Sequence, residues 1–518
     1  MDVLIDKADR KKVRLLRTVF EAERQTCPLD SLAASLGVSN QTVLKLVEAI
    51  KEDIVLFDFA ELVVFDYSST NFLITLQFSE SVNLQMFLNA YIRKSIKFRL
   101  LEALFHHSFD TLQQLADFLD IPYIQVRRKI QEINSFLDRT SLGISAKGKV
   151  SLHGNEIDIR FFYTVLFVTG YGAEKWPFRA YVFLDMSEAL DACPKEVYAL
   201  PSLDKFFLVH YFLGVHLFRE RQGRLVKKEE VRISLYTPYS AANRLSFSRL
   251  SKEMKRFLPR HSDEHLKRFS QLLCSALVAM GGYHSIKSAP DFLLRDSQIK
   301  EMGVPGLASH LLDRLDHHLY NPLSSEERST IHYALLCLHY RIFFVGTIVT
   351  HLKDIFTDYL NVDKDRRKRH KIKQIKRIIA LEMQTAEFKP FENHKEYLAI
   401  EYCLIYDRHI HLEKYTAPIN ISFLTALSKQ TIQEEVLHYF STYYNLHVVN
   451  TLSTEVDLII SDIPLSSSVI PSLRLNKPIV YCHMQLIDSD YDKIAAALSA
   501  IAKKKFKLST THEEDEAK

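Results

Sequence analysis

Two short stretches of the chain, 83 residues apart, carry polar side chains of the kinds that read base pairs. The first stretch contains Asn40, Gln41, Thr42 and Lys45. The second contains a more basic set, namely Tyr123, Gln125, Arg127, Arg128 and Lys129. Asn and Gln can form paired hydrogen bonds with adenine, Arg does so with guanine, and Lys mostly anchors phosphate. The residue types indicate contact with double-stranded DNA, although any single side chain could equally serve to solvate a helix face.

The elements that would position these residues form an internal repeat. The segments from Pro28 to Ile54 and from Asp110 to Leu137 superimpose without a gap. The matched apolar pairs are Leu29 and Leu112, Leu32 and Leu115, Ala33 and Ala116, Leu36 and Leu119, Val38 and Ile121, Val43 and Val126, Val47 and Ile130, and Ile50 and Ile133. Each copy predicts a short amphipathic helix, a tight turn, and a second helix that opens at Ser39 or Pro122. Ordinary helical hairpins are the alternative, but eight matched core positions favour two helix-turn-helix units.

A candidate wing follows each unit. The stretches from Leu56 to Tyr67 and from Gly143 to Gly154 have the pattern of strand-turn-strand ribbons, and Gly148 lies between Lys147 and Lys149 at the second tip. In winged units the second helix begins in the major groove and wing lysines reach phosphate. The sequence therefore predicts winged helix-turn-helix domains over 1–70 and 71–155, with Lys147 and Lys149 as phosphate contacts.

Composition narrows the class of protein. The net charge of the whole chain is only +4, so any DNA affinity must come from local clusters of Lys and Arg. The six cysteines are widely separated, without a Cys-x-x-Cys pair, so neither a zinc site nor a disulfide framework is indicated. No signal peptide is evident at the N-terminus, and no apolar stretch is long enough to span a bilayer. We therefore expect a cytoplasmic protein that is not an enzyme, with no metal, cofactor or membrane partner.

The middle of the chain, from 156 to 412, has a nearly continuous helical pattern, and two bundles over 156–288 and 289–412 fit it. Histidine is abundant here, but no histidine spacing with accompanying acids indicates a metal site. A basic run extends from Lys364 to Arg377. It could touch DNA phosphate, although a solvated helix face or a surface for an acidic partner is the more ordinary interpretation.

Several motifs together resemble a known family. They are the paired helix-turn-helix units, a second wing that ends in SLHGNEIDIRFFY, and helical modules containing Arg219 to Gly223 and His339 to Gly346. This combination resembles the Mga/AtxA family of virulence regulators from Gram-positive bacteria, over essentially the whole chain. The resemblance implies that the bundles are similar to phosphotransferase-system regulation domains (PRDs), whose histidines can be phosphorylated.

The implied phosphorylation candidates are His210 in the first bundle and His332 in the second, with His216 and His339 as alternates. The apolar neighbours of His210 and His216 make a buried, hydrogen-bonded histidine an equally good interpretation there. The chain also lacks the Asp-His-Ile type of signature found in better-known regulation domains of antiterminators.

After Pro418 the pattern changes to short apolar strands, within Asn420 to Leu427, Asn445 to Asn450, Val456 to Asp462 and Lys477 to His483. This predicts a small parallel α/β domain over 413–508, followed by a disordered acidic tail over 509–518. The resemblance implies similarity to the EIIB component of sugar phosphotransferase systems. The position of its catalytic Cys reads LTALSKQT here, so we expect dimerisation or sensing rather than phosphoryl transfer.

The fold class expected from the sequence is mainly α and multi-domain: two winged helix-turn-helix units, two PRD-like bundles and an EIIB-like α/β domain. The leading hypothesis is a dimeric activator of virulence or surface-protein genes that carbohydrate status modulates through phosphocarrier proteins. An RNA-binding antiterminator and a DNA-binding protein of low sequence preference are rivals. An enzyme of the phosphotransferase system is disfavoured by the missing Cys.

Overall fold

Amphipathic helices make up most of the chain, as its apolar periodicity predicts. The computed structural model describes residues 3–178, 183–199, 203–281, 289–346, 348–350, 376, 379–410, 415–425, 429–450, 454–464 and 477–516. The helices are α1 (Arg10–Glu21), α2 (Leu29–Leu36), α3 (Asn40–Leu56), α4 (Leu84–Lys94), α5 (Ile96–His106), α6 (Leu112–Leu119), α7 (Tyr123–Leu137), α8 (Glu156–Tyr171), α9 (Phe183–Asp191), α10 (Leu203–Arg221), α11 (Ala241–Phe257), α12 (Asp263–Met280), α13 (Asp291–Arg295), α14 (Ser297–Glu301), α15 (Val304–His318), α16 (Ser325–Val345), α17 (Lys395–His409), α18 (Lys429–Phe440) and α19 (Asp488–Glu516).

Three small sheets accompany the helices in the described part of the chain. Their strands are β1 (Thr26–Pro28), β2 (Val63–Ser68), β3 (Leu73–Phe78), β4 (Gly143–Ser145), β5 (Ser151–His153), β6 (Ile419–Leu424), β7 (Leu446–Val448), β8 (Leu458–Ser461) and β9 (Ile479–Tyr481). The first sheet is antiparallel in the order β1-β3-β2, and the second pairs β4 with β5. The third is parallel in the order β7-β6-β8-β9.

The chain divides into two compact units. One comprises Met1–Ser285 with Arg341–Tyr359, and the other comprises Ile286–Tyr340 with Leu360–Lys518. The first unit contains both helix-turn-helix repeats and the helices α8 to α12. The domain boundaries expected from the sequence are finer than this division and remain predictions.

A network of buried charges connects α8 and α10, inside the first unit. Arg160 of α8 is almost fully buried and donates to Glu156 at 2.9 Å and to Glu220 at 2.7 Å. Arg219 of α10 also donates to Glu156. Buried charges are tolerated only when they are paired in this way, so these contacts fix the register between α8 and α10.

In the second unit the parallel sheet confirms the strands that the sequence predicts after Pro418. The sheet core is built from Ile421, Leu458 and Ile460, and it packs against Ile432 and Val436 of α18 and Ile494 and Leu498 of α19. Parallel strands are buried on both faces by helices, which explains why these segments are almost continuously apolar.

Two expectations differ from the structure in their bounds. The first wing is the hairpin of β2 and β3, later than the stretch from Leu56 to Tyr67, because α3 continues to Leu56. Helix α19 extends to Glu516, past the start of the expected disordered tail; the three glutamates of this stretch are good helix formers. The basic run from Lys364 to Arg377 lies outside the described residues except for Lys376.

Each helix in the described part of the chain is too short or too polar to cross a membrane.

Candidate nucleic-acid interface

The turns of the two repeats have the same backbone geometry. Gly37 ends α2 in the left-handed region with φ of 65°, and Asp120, its equivalent, ends α6 with φ of 53°. The next amide donates back to the alanine of the first helix in both copies, from Val38 to Ala33 at 3.0 Å and from Ile121 to Ala116 at 3.1 Å. The two repeats therefore have the same turn geometry as well as the same pattern of residues.

The cores of the two repeats also correspond. Leu32, Ala33, Leu36, Val43, Val47 and Ile50 are buried, as are their equivalents Leu115, Ala116, Leu119, Val126, Ile130 and Ile133. Val38 and Ile121 are both half-buried under the turn. This pattern confirms the two helix-turn-helix backbones that the apolar spacing predicts.

At the start of the first recognition helix, α3, two polar side chains have partners within the chain. Ser39 caps the helix by accepting from the amide of Thr42, and the two hydroxyls lie 2.9 Å apart. Asn40 donates to Asp30 at 2.6 Å. Gln41 and Lys45 are exposed. Asn40 and Thr42 must give up these contacts before they can bind a base.

The second recognition helix, α7, presents a more basic surface. Tyr123, Arg127 and Arg128 are exposed, and Gln125 is half-buried. The only ion pair of this group among the described residues is the loose one between Arg128 and Glu132, at 3.8 Å. These two guanidinium groups can therefore be offered to phosphate or guanine without breaking a strong internal contact.

The expected outward position of Lys129 is wrong. Its side chain is buried, and its ammonium lies 2.7 Å from Asp6 and 3.2 Å from Glu132. Helix geometry explains the difference, because 129 is three residues after Val126 and four before Ile133 and so shares their inward face. Lys129 joins α7 to the N-terminal segment and does not reach solvent.

The wing of the second unit brings its lysines to the surface. Lys147 and Lys149 are exposed on either side of Gly148, whose φ of 81° makes the tight turn between β4 and β5. The wing is fastened to α7 by Asn134, which accepts from the amide of Ile144 at 2.7 Å and donates to its carbonyl at 2.9 Å. Sequence reasoning missed Asn134, although its polar position in the repeat was a usable signal.

Lys51 is the residue of the first unit that corresponds to Asn134, and it also contacts a wing. Its ammonium lies 2.9 Å from Asp66 in β2. The tip of that wing, between β2 and β3, contains no Lys or Arg. Both recognition helices thus hold a wing from the same position, but only the second wing is basic.

Three of the four candidate histidines are buried in the helical modules. His210 is bound by Ser187 at 2.8 Å and by the carbonyl of Phe206 at 2.7 Å. His216 contacts Arg160, and His339 lies 2.7 Å from the hydroxyl of Tyr402. Burial lowers the pKa of all three imidazoles, that of His339 to about 3.

His332 differs from the other three histidines because it is half-buried. Its ring nitrogen is 3.4 Å from the hydroxyl of Ser309 on α15. Burial lowers its pKa, and the nearby guanidinium of Arg328 lowers it further.

Comparison with known proteins identifies the second unit. Residues 80–167, from the segment before α4 into α8, match the Mga helix-turn-helix domain. The chain is 24% identical to a trans-acting regulator of Streptococcus pneumoniae over 229 residues, which are 44% of each protein. It is 21% identical to the capsule synthesis positive regulator AcpB of Bacillus anthracis over 232 residues, 43% of this chain and 45% of AcpB. The matched region thus spans under half the length of these relatives.

These matches confirm the resemblance to the Mga/AtxA family. They support DNA binding and transcription regulation as the class of function. The matched segment contains α7 and the lysine-tipped wing, and so it coincides with the more basic of the two repeats.

Proposed function

We propose that the chain is a transcription regulator that binds double-stranded DNA mainly through its second helix-turn-helix unit. The observation that carries this proposal is the exposed basic surface of Arg127, Arg128, Lys147 and Lys149 on the unit that matches the Mga helix-turn-helix domain. Arg at the start of a recognition helix can read guanine, and wing lysines add sequence-independent affinity for phosphate. The first unit adds contacts through Gln41 and Lys45.

The test compares matched substitutions in the two repeats. Duplexes recovered by genome-wide mapping of bound DNA are titrated with the full chain, with Arg127→Ala/Arg128→Ala and with Gln41→Ala/Lys45→Ala at several salt concentrations. The first variant should bind more weakly, and the slope of log affinity against log salt should become shallower by about one per lost phosphate contact. The second variant should change less. An equal or larger loss in the second variant would assign the reading role to the first unit.

The same titration separates the rival functions. A single-stranded or hairpin RNA of the same sequence should bind no better than expected from charge alone. Preference for the RNA would favour an antiterminator. Equal affinity for mapped and scrambled duplexes would favour a DNA-binding protein of low sequence preference.

Regulation by histidine phosphorylation is part of this proposal, with sugar phosphocarrier proteins as the donors and virulence or surface-protein genes as the regulated class. The difference in burial favours His332, because a phosphocarrier can approach a half-buried ring more readily than His210, His216 or His339. A phosphoryl group would add negative charge close to Arg328, which could pair with it.

Incubation with the phosphocarrier proteins, followed by mass spectrometry that preserves phosphohistidine, tests this part. Label is expected on the peptide that contains His332, and it should disappear in His332→Ala but persist in His310→Ala on the neighbouring helix α15. Label on His210, or on neither bundle, would contradict the assignment of His332.

We also propose that the chain activates transcription as a dimer formed through its C-terminal sheet. Edge strand β9 and the loop after it expose three large apolar side chains, Tyr481, Met484 and Ile487, and exposed apolar surface at a sheet edge is typical of association sites. Tyr481→Ser/Met484→Ser should shift the protein toward monomer in light scattering. Leu245→Ser, at an exposed apolar residue of α11, should not. A dimer that persists in the first variant would place the interface elsewhere.

A further inference from the structure

A cluster of metal-ligating side chains lies at the end of α10 in the first compact unit. It consists of Glu220 in the last turn of α10, His261 in the connection before α12, and His265 in the first turn of α12. Each residue offers one ligand atom, and these atoms all lie within 4.8 Å of one another. The two histidines are four residues apart, a spacing that is common among zinc ligands and that was a usable signal in the sequence. Glu220 comes from a separate segment, and only the fold brings it beside them.

The hydrogen bonds of the cluster engage both oxygens of Glu220 and one ring nitrogen of His265, and they leave one ring nitrogen of His261 unbound in the described part of the chain. One oxygen of Glu220 accepts from Arg160 at 2.7 Å, while the other faces Nε2 of His265. Nδ1 of His261 is enclosed and has no hydrogen-bond partner in the described part of the chain. An enclosed ring nitrogen without a partner costs free energy unless another group, such as a metal ion, satisfies it.

We propose that Glu220, His261 and His265 form a binding site for one Zn²⁺ ion. Two imidazoles and a carboxylate are an established zinc ligand set, and a fourth position is then left for water. Ligands at zinc distances of about 2.0–2.2 Å lie about 3.4 Å apart around a tetrahedral ion, so small rotations of the two histidines bring the set into place. Both histidines are partly exposed, and the ion and its water can therefore enter from solvent.

The local charges are compatible with a cation at this position. Arg160 is a buried cation that contacts Glu220, and its charge is shared between Glu220 and Glu156. The bound ion would fasten the loop before α12 to α10, close to the buried pairs that hold α8 in register.

The experiment uses the full chain, stripped with a chelator and titrated with Zn²⁺ by calorimetry. One equivalent should bind, and Co²⁺ at the same site should give the visible absorption of tetrahedral cobalt. His261→Ala and His265→Ala should each weaken Zn²⁺ binding at least about tenfold, which is the smallest loss usual even for groups that only support a ligand. His107→Ala, at an exposed histidine of the same compact unit, is the matched control and should bind as the unaltered chain does.

Thermal unfolding gives a second measurement, since a ligand of the native state raises the midpoint temperature. Zn²⁺ should raise it in the unaltered chain and in His107→Ala, but not in His261→Ala. Failure to bind one equivalent, or variants that keep the affinity of the unaltered chain, would overturn the proposal. The contact between His265 and Glu220 would then be an ordinary ion pair of the helical bundle.

Discussion

The two helix-turn-helix units share a backbone and differ in what their polar residues bind. In the first unit, Asn40 and Thr42 are held by side chains of the same chain. In the second unit, Arg127 and Arg128 project into solvent, and the wing carries lysines at its tip. Because the core and turn are the same in both, these differences fall on the surface and in the attachments of each unit.

The two units also differ in the residues that attach each recognition helix to the rest of the chain. At equivalent positions of the recognition helices, the first unit has the buried Asp53 and the second has the half-buried Phe136. Asp53 binds three groups on neighbouring helices. The second unit is anchored to the N-terminal segment by two lysines: Lys129 pairs with Asp6, and Lys97 donates to the carbonyl of Val3. Buried charges therefore anchor both recognition helices, but only the second leaves two arginines in solvent.

The largest effect is expected from Asp53→Asn. Asp53 accepts from Lys12 at 2.6 Å, Lys94 at 2.7 Å and Tyr91 at 2.9 Å, and thereby ties α1, α3 and α4 together. Removing its charge should lower the free energy of unfolding by about 3 kcal/mol, the lower end of the range for a buried pair, because water reaches both lysines. Chemical denaturation measures this loss. Asp66→Asn, an exposed carboxylate of β2, should change stability by less than about 1 kcal/mol.

The effect of Asp53 should also depend on pH. Burial raises the pKa of Asp53, but hydrogen bonds from Lys12, Lys94 and Tyr91 outweigh burial and hold that pKa below its ordinary value. Its stabilising contribution is therefore fully present above the unfolded pKa of about 3.9 and is lost as pH falls through the lower folded pKa. The difference between Asp53→Asn and the unaltered chain should shrink below about pH 4. A difference that stays constant down to acid unfolding would mean that the ion pairs contribute little.

Two substitutions at adjacent positions distinguish a residue that anchors α7 from one that contacts DNA. Lys129→Met tests the anchor, and Arg128→Met tests the DNA contact. Lys129→Met should cost about 2 kcal/mol of stability, because it leaves Asp6 without its cation and removes one of the cations around Glu132. It should not alter the salt dependence of DNA binding. Arg128→Met should do the reverse, with a stability change under about 0.5 kcal/mol and a salt slope reduced by about one. A reduced slope in Lys129→Met would return that lysine to the DNA surface.

The core and turn that the two units share could be predicted from the sequence, but the polar contacts in which they differ could be predicted only in part. Apolar residues at helical spacing determine which faces meet, so Leu32, Val43 and their equivalents could be predicted from residue type alone. The side on which a polar residue lies follows from the same spacing, and Lys129 lies on the inward face that its position predicts although its charge favours solvent. The partners of Asn134 and Asp53 could not be predicted, since they depend on how distant segments pack.

The same distinction applies to the other regions. The strands of the C-terminal sheet were predictable because burial on both faces makes them apolar throughout. The approach of Glu220 to His261 and His265 was not, because no local pattern records which helix end lies beside which loop. Long-range polar contacts are the part of this fold that a single sequence specifies least directly.

The smallest expected effect concerns the wings, and it tests whether the two units hold them equally. Asn134→Ala removes both hydrogen bonds to the backbone of Ile144. Because these contacts are only partly buried, water can replace them in part, and we expect a cost of about 1 kcal/mol, the low end for such groups. Lys51→Ala removes an exposed ion pair worth about 0–1 kcal/mol. Hydrogen exchange at Ile144 should speed up in Asn134→Ala, and DNA affinity should fall because Lys147 and Lys149 are no longer held beside α7. Lys51→Ala should leave DNA affinity nearly unchanged, and an equal loss in both variants would show that the first wing also contacts DNA.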